Sequence, residues 1–338
     1  MDHAIDTITV GLVGAGGITS TAHLPVLKNI GGVHIVWIAD VNASLVQDVG
    51  RAFGVVPRVV SSEPLTLPPC DIVLLATPVY AREVYLRYFS AGSRAILAEK
   101  PFALSKEEHL RYLEACSNVQ VSCGYMRRTY ATVRAIRQIV REGWFGTLRR
   151  IRYSEGGRLS KTAHASPTLD MGYRKGGGVL RDLGCHGLDV LVYATGATQC
   201  HVRSATIEWD KETDRQVVCR FVLSGVDHLE GSGCPVEFSV SWLSEQSNDV
   251  VFEFDRVWLR TGIRSEAEIE IASPSHKDVW TRMSLSIDGA RSSYQAFFLE
   301  WQDILRAFRS GQPGELSAAS SLLTTQIIDD VYRLGGDA

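Results

Sequence analysis

From residue 7 to residue 123 the chain alternates short Val/Ile/Leu-rich runs with longer amphipathic ones, and this alternation restricts the fold more than any other feature of the sequence. Residues 7–13, 34–40, 71–76, 95–98 and 119–123 read as strands. Residues 21–30, 44–53, 81–91 and 106–117 have the apolar spacing of helices, and Gly31, Gly54 and Gly92 stand where C-terminal stops belong. Strands and helices alternating in this way form a parallel sheet covered on both faces.

Beyond a basic helical stretch, 127–141, and a turn from Gly143 to Gly146, the pattern changes. A long strand is expected at 147–155, then a polar, glycine-containing loop at 156–178, one helix, and alternating segments at 216–223, 236–242, 250–259 and 267–271. Two helices, 294–309 and 317–334, close the chain. The expected architecture is α/β: a parallel-sheet domain at 1–123 and, at 124–338, an α+β domain built on a large, mostly antiparallel sheet. The closing helices are free to pack back on the first domain. Phe238, Val240, Trp242, Val251, Phe252, Phe254 and Trp258 are more apolar residues than one sheet face needs, which predicts a homodimer or homotetramer formed through this sheet.

Composition narrows the class of partner. With 338 residues and 45% hydrophobic side chains the chain can bury a large core, enough for two domains. A formal charge of -3 and a pI near 6.3 give no positive field for nucleic acid or an anionic membrane. No apolar run approaches the roughly 20 residues that cross a bilayer, and no secretion signal is visible. Seven cysteines, an odd number scattered without a C-x-x-C pair, read as reduced thiols of a cytoplasmic protein, with neither disulfides nor a metal expected.

The segment from Thr9 to Thr19 places a glycine-rich turn between a strand and a helix. Gly14 permits the tight turn, Gly16 lets the backbone approach a pyrophosphate, Gly17 and Ile18 continue the loop, and the helix that follows offers N–H groups and a favourable dipole. Thr19, in place of the usual third glycine, can cap the helix or reach a phosphate oxygen. The second strand ends on Asp40, 21 positions after Thr19, where a carboxylate binds the adenosine ribose hydroxyls. A turn cap is the plainer reading of Asp40. No arginine stands in Val41-Asn42-Ala43, which favours NAD over NADP, while Arg58 is too distant to place and leaves NADP open. Thr77 and Pro78, after the strand at 71–76, are cofactor-contact candidates or an ordinary turn.

At Ala98-Glu99-Lys100-Pro101, after the strand at 95–98, the chain resembles the signature of the glucose-fructose oxidoreductase and inositol dehydrogenase (Gfo/Idh/MocA) family. Gly177-Gly178-Val179-Leu180-Arg181-Asp182-Leu183-Gly184-Cys185-His186 is similar to that family's G-G-x-x-x-D-x-G-x-H stretch, and Gly124-Tyr125-Met126-Arg127-Arg128 to its inter-domain crossover. The resemblance spans nearly the whole chain and implies a Rossmann fold followed by the α+β domain.

It also implies a catalytic trio. A dehydrogenase removes a hydroxyl proton while the carbon beneath gives up hydride, so it needs a base and a polarising group at that oxygen. His186 is expected as the base, Asp182, four residues earlier on the same helix face, as its partner, and Lys100 as the ammonium that holds the oxygen. Lys100 and Glu99 are also expected beside the cofactor. Taken singly, Lys100 can be a surface partner of Glu99, Asp182 a helix cap and His186 a core histidine. Asp189 extends the same face, but the family chemistry needs no metal. Cys185 reads as a small buried thiol. The Lys100–Pro101 bond is expected to be cis.

For a small polyhydroxylated substrate the candidates are Met126, Arg127, Tyr153, Tyr173 and Arg174, together with Asp182 and His186; a loop histidine, His164, is weaker. Arg127 and Arg128 read equally well as a solvated face, and Tyr173 as packing. The resemblance implies reversible NAD(P)-dependent oxidation of a secondary hydroxyl on a sugar, cyclitol or amino-sugar derivative. The alternatives are an NAD-dependent glycosidase that recycles its cofactor and a dinucleotide-sensing regulator of the same fold, a class that typically lacks the three catalytic residues.

Overall fold

A computed structural model of the chain describes residues 7–60, 67–158, 177–226, 229, 233–264, 268–284 and 287–336. It divides into two compact units, Met1–Met126 with Phe297–Ser321, and Arg127–Ala296 with Leu322–Ala338.

The first unit is a parallel sheet of β1 (Ile8–Val13), β2 (Val33–Asp40), β3 (Pro57–Val59), β4 (Ile72–Leu75), β5 (Ala95–Ala98) and β6 (Gln120–Cys123), in the order β3-β2-β1-β4-β5-β6. Between these strands lie α1 (Leu24–Leu27), α2 (Ala43–Phe53), α3 (Glu83–Ser90) and α4 (Lys106–Ala115). β4 and β5 are buried along their whole length, as strands covered on both faces must be. The strand order reverses between β1 and β4, which makes their C-terminal ends the switch point where ligands of open α/β sheets lie. Local chemistry sets the helix ends: the Asn42 side chain accepts from the Leu45 N–H, Ser105 accepts from Glu108, and Gly54 closes α2 in the left-handed region.

Two features differ from the sequence expectation. β3 was not expected, because three exposed edge residues carry no periodic signal. The first helix begins earlier, with a π turn at Thr19–His23 that leads into α1.

The second unit contains α5 (Ala131–Glu142), β7 (Leu148–Gly156), α6 (Cys185–Thr195), β8 (Gln199–Asp210), β9 (Thr213–Ser224), β10 (Cys234–Ser241), β11 (Asp249–Phe254), β12 (Trp258–Gly262), β13 (Ile269–Ser273) and β14 (His276–Met283). The chain ends with α7 (Ser293–Ser310), whose residues from Phe297 onward belong to the first unit, and α8 (Leu322–Gly335) in the second. The eight strands run β14-β13-β12-β11-β7-β10-β9-β8, antiparallel except for the β7–β10 pair. α6 packs against α5 and α8, and α8 lies on β8.

The single strand expected at 250–259 is a hairpin, because Asp255 accepts the Thr147 N–H at 2.9 Å and the Arg149 guanidinium at 2.6 Å and so pins a turn there. β8 and β14 were not expected. Both are mostly exposed; β14 lacks the apolar alternation that marks a half-buried strand, and in β8 the alternation of Cys200 and Val202 with Ala205, Ile207 and Trp209 is broken by a register shift between Val202 and Ser204.

Of the apolar residues that suggested pairing with a second copy, Phe238, Val240, Trp242, Val251, Phe252 and Phe254 are buried within the single chain, and Trp258 is half-buried. The outward strand positions instead carry ion pairs, Arg150–Glu237 at 2.7 Å, Arg152–Glu253 at 2.9 Å and Arg260–Glu270 at 2.7 Å. Among the described residues, no helix is long and apolar enough to cross a membrane.

Candidate active site

In the first unit the candidate residues stand at the C-terminal ends of adjacent strands. The Gly14 N–H donates to the Ala39 carbonyl at 2.7 Å, and its φ is +100°. A Cβ there would come within 2.6 Å of the Ala76 carbonyl oxygen, so the turn is pressed between the ends of β2 and β4 and only glycine fits. Gly16 and Gly17 differ: an added Cβ would meet nothing within 4 Å at either. Ile18, beside them, is exposed. Thr19 is buried and its hydroxyl donates to the Gly14 carbonyl at 2.7 Å, so the residue standing for the third glycine closes the loop on itself.

Asp40 braces this loop. Its Oδ2 accepts the Ala15 N–H at 2.7 Å and its Oδ1 the Asn42 N–H at 2.8 Å, which ties the glycine turn to the end of β2. Arg58 lies on β3 opposite Ala39, one position from Asp40. Pro78 is exposed, and the Thr77 hydroxyl is buried with no partner among the described residues. An open glycine cradle, an orphaned hydroxyl at the next strand end and a carboxylate at the end of β2 fit a dinucleotide.

Lys100 follows β5, half-buried, and the Lys100–Pro101 bond is cis, as expected. Glu99 is no surface partner of Lys100: it is buried, its Oε2 accepts the Lys100 N–H at 3.1 Å and its Oε1 lies 2.9 Å from His23 Nε2. The Trp301 indole donates to His23 Nδ1 at 3.1 Å, so the proton on His23 sits on Nε2 and is donated to Glu99. Burial alone would raise the Glu99 carboxyl, but the His23 hydrogen bond and the Lys100 charge outweigh it and hold Glu99 below the usual carboxylate range. Nearby Glu300 goes the other way. Fully buried, with neither oxygen partnered among the described residues, it is pushed well above the ordinary value by burial and by the charges of Glu99 and Asp303.

In the second unit, Asp182 lies on a π turn, Leu180–Gly184, that runs directly into α6, and His186 lies on the first turn of α6. Both are half-buried, and their spacing along one helical rod keeps them on one side. Asp214, which the sequence reading missed, anchors the start of this rod: it accepts the Gly178 N–H at 2.6 Å, the Leu180 N–H at 2.8 Å and the Tyr332 hydroxyl at 2.9 Å. Cys185 is fully buried, and its thiol donates to the Asp182 carbonyl at 3.5 Å.

The same rod is backed by Tyr153. A Cβ on Gly187 would sit 2.4 Å from Tyr153 Cζ, so glycine beside His186 admits the ring. The Tyr153 hydroxyl donates to Glu155 at 2.5 Å, and Arg127 grips Glu155 with two bonds of 2.9 and 2.8 Å. Burial, reinforced by the Glu155 charge, raises the Tyr153 phenol well above its ordinary value and keeps it protonated. Arg128 is bidentate to Asp189 at 2.7 and 2.6 Å, both side chains buried. The solvated-face reading of Arg127 and Arg128 is therefore wrong, because each meets a buried carboxylate.

Met126 is buried at the end of the first unit. Tyr173, Arg174 and His164 lie outside the described residues. Among the described residues, no group of His, Cys, Asp and Glu is placed to hold a metal.

Comparison with known proteins matches both units. Residues 8–125 match the oxidoreductase family with an NAD-binding Rossmann fold, and residues 133–257 match the GFO/IDH/MocA C-terminal domain. The chain is 27% identical to inositol 2-dehydrogenase 3 of Saccharopolyspora erythraea over 55% of its own length and 53% of that protein. It is 23% identical to the inositol 2-dehydrogenase of Leifsonia xyli subsp. xyli, over 88% of this chain and 85% of that one. The chain thus spans about half the length of the first of these relatives and most of the second.

Among solved structures it is similar to an aldose-aldose oxidoreductase from Caulobacter crescentus complexed with glycerol (TM-score 0.81, 16% identity, 97% of each chain). It is also similar to a 3-ketoreductase from Actinomadura kijaniata in complex with NADP (TM-score 0.78, 17% identity, 97% of each chain). An oxidoreductase from Agrobacterium radiobacter in complex with NAD+, L-tartaric acid and magnesium is a third (TM-score 0.77, 18% identity, 97% of this chain and 96% of that one). At these identities the structures bear on the fold alone.

Proposed function

The chain belongs to the Gfo/Idh/MocA family of NAD(P)-binding oxidoreductases, and from that premise we propose that it reversibly oxidises a secondary hydroxyl on a sugar, cyclitol or amino-sugar derivative, with NAD as the preferred cofactor. The observation that carries this reading is the shared strand edge of the first unit. Lys100 follows β5, which lies next to β4, and β4 and its neighbour β1 lead into Thr77 and the open Gly16–Gly17 loop. An amine donor thus belongs to the same edge as a dinucleotide cradle.

Gly14, Gly16, Gly17 and Ile18 would hold the pyrophosphate, Asp40 the adenosine ribose, and Thr77 and Pro78 the adjoining part of the cofactor. When bound, the nicotinamide supplies the hydride acceptor. Lys100 holds the substrate hydroxyl and, as the proton leaves, the oxygen that becomes a carbonyl. His186 takes that proton, and Asp182 orients the imidazole and stabilises its charged form. Glu99, engaged by His23, and Tyr153, engaged by Glu155, serve as supports of Lys100 and of the His186 helix. A carboxylate at Asp40 repels a 2'-phosphate, which supports NAD. Two relatives named as inositol 2-dehydrogenases support a cyclitol or related polyol.

The test is a panel of inositols, free sugars, aminocyclitols and nucleotide sugars incubated with NAD or NADP, read by the absorbance of reduced nicotinamide. Turnover with one polyol class is expected. NAD binding with no net reduction by any member of the panel would contradict the dehydrogenase and favour the cofactor-recycling glycosidase or the regulator.

A further inference from the structure

Arg82 is 1% exposed, yet among the described residues no carboxylate lies within ion-pair distance of it. Its guanidinium is surrounded by backbone oxygens instead. Nη1 donates to the Pro101 carbonyl and, at 3.1 Å, to the Phe102 carbonyl, and Nη2 donates to the Thr77 carbonyl at 3.1 Å. Burying a cation without a direct ion-pair contact is unfavourable, and a Met or Leu would fill the same volume without that cost. Burial lowers the Arg82 pKa from the ordinary arginine value, and the nearby Glu99 charge offsets this only in part.

What the fork gains is geometry. Thr77 ends the β4 turn and has a buried hydroxyl with no partner among the described residues, while Pro101 and Phe102 are the two residues after Lys100. A single planar side chain therefore ties the turn after β4 to the turn after β5, and a planar fork fixes their separation better than a point charge does.

We propose that Arg82 is a positioning residue that clamps the Thr77 turn to the Lys100–Pro101 turn and so fixes Lys100 relative to the cofactor-contact edge. This rests on the reading of Thr77 and Lys100 given above. It is nevertheless tested without turnover, so its failure is separable from a failure of that reading, which shows as activity retained in Lys100→Ala.

The experiment compares the parent chain with Arg82→Met and Arg82→Lys. NADH affinity is read by energy transfer from protein tryptophan, and the protonation midpoint of Lys100 by trace acylation with acetic anhydride and mass spectrometry of the labelled peptide. In folded Arg82→Met, judged by circular dichroism, NADH affinity is expected to fall about tenfold and the Lys100 midpoint to move. Arg82→Lys keeps the charge without the fork, so it should recover only part of both effects. Parental affinity and midpoint in Arg82→Met would overturn the clamp, and so would complete recovery in Arg82→Lys, which would assign the effect to charge alone. If Arg82→Met does not fold, Arg82→Gln carries the same readouts: its amide is polar but shorter and lacks the fork, so an affinity and midpoint equal to the parent's would again overturn the proposal.

Discussion

The carboxylate of Asp214 accepts the backbone N–H of Gly178 at 2.6 Å, and a Cβ on Gly178 would stand 2.0 Å from the Asp214 carbonyl oxygen. Contact this close is possible only at glycine, and it fixes the start of the helical rod that carries Asp182 and His186.

Gly178→Ala is therefore expected to destabilise the chain by about 1–3 kcal/mol, because the backbone must move to admit a methyl group. Turnover should fall more than stability requires, since the rod shifts with its anchor, while NADH affinity, a property of the first unit, stays at the parental level. Urea unfolding and NADH titration measure the two effects. A variant with parental stability would show that the contact is not tight.

Asp40→Ser is expected to weaken NADH binding and to narrow or reverse the preference over NADPH. The substitution removes the carboxylate that a 2'-phosphate would oppose, and Arg58 remains one position away across β2 and β3. Parallel titrations with the two cofactors test this. An unchanged ratio of affinities would remove Asp40 from cofactor selection.

His109 gives the first unit a pH dependence. The ring is fully buried, its Nε2 lies 3.0 Å from the Ala318 carbonyl, and burial pushes its pKa down from 6.5 to about 4. The unfolded chain binds the proton near pH 6.5 and the folded one only near pH 4, so stability is present above this interval and is lost as pH falls through it. The loss attributable to this ring is up to about 3 kcal/mol. His109→Gln should flatten the profile between these values in urea titrations at several pH values, and a profile as steep as the parent's would assign the dependence to other groups.

The sequence exposed the parts of this fold that depend on local periodicity. β5 begins and ends where the apolar run does, and the glycine turn and the Lys100–Pro101 turn fall at strand ends as expected. What it hid are relationships across long separations. Arg127 and Glu155 are 28 positions apart and Arg128 and Asp189 are 61 apart, so nothing in the local pattern distinguishes these buried pairs from a solvated basic face. Asp214 anchors Gly178 from 36 positions away, and His23 meets Glu99 across 76. The exposed strand β14 escaped for the opposite reason, having no apolar stripe to reveal it, and β8 because a bulge after Val202 breaks its stripe.

The central claim is that Lys100 and His186 carry out the chemistry on a cofactor held by other residues. The most direct measurement is turnover and NAD binding side by side in Lys100→Ala and His186→Ala, with the polyol that the panel identifies. Turnover is expected to be nearly abolished in both variants while each binds NAD as the parent does. Retained turnover in both would contradict it.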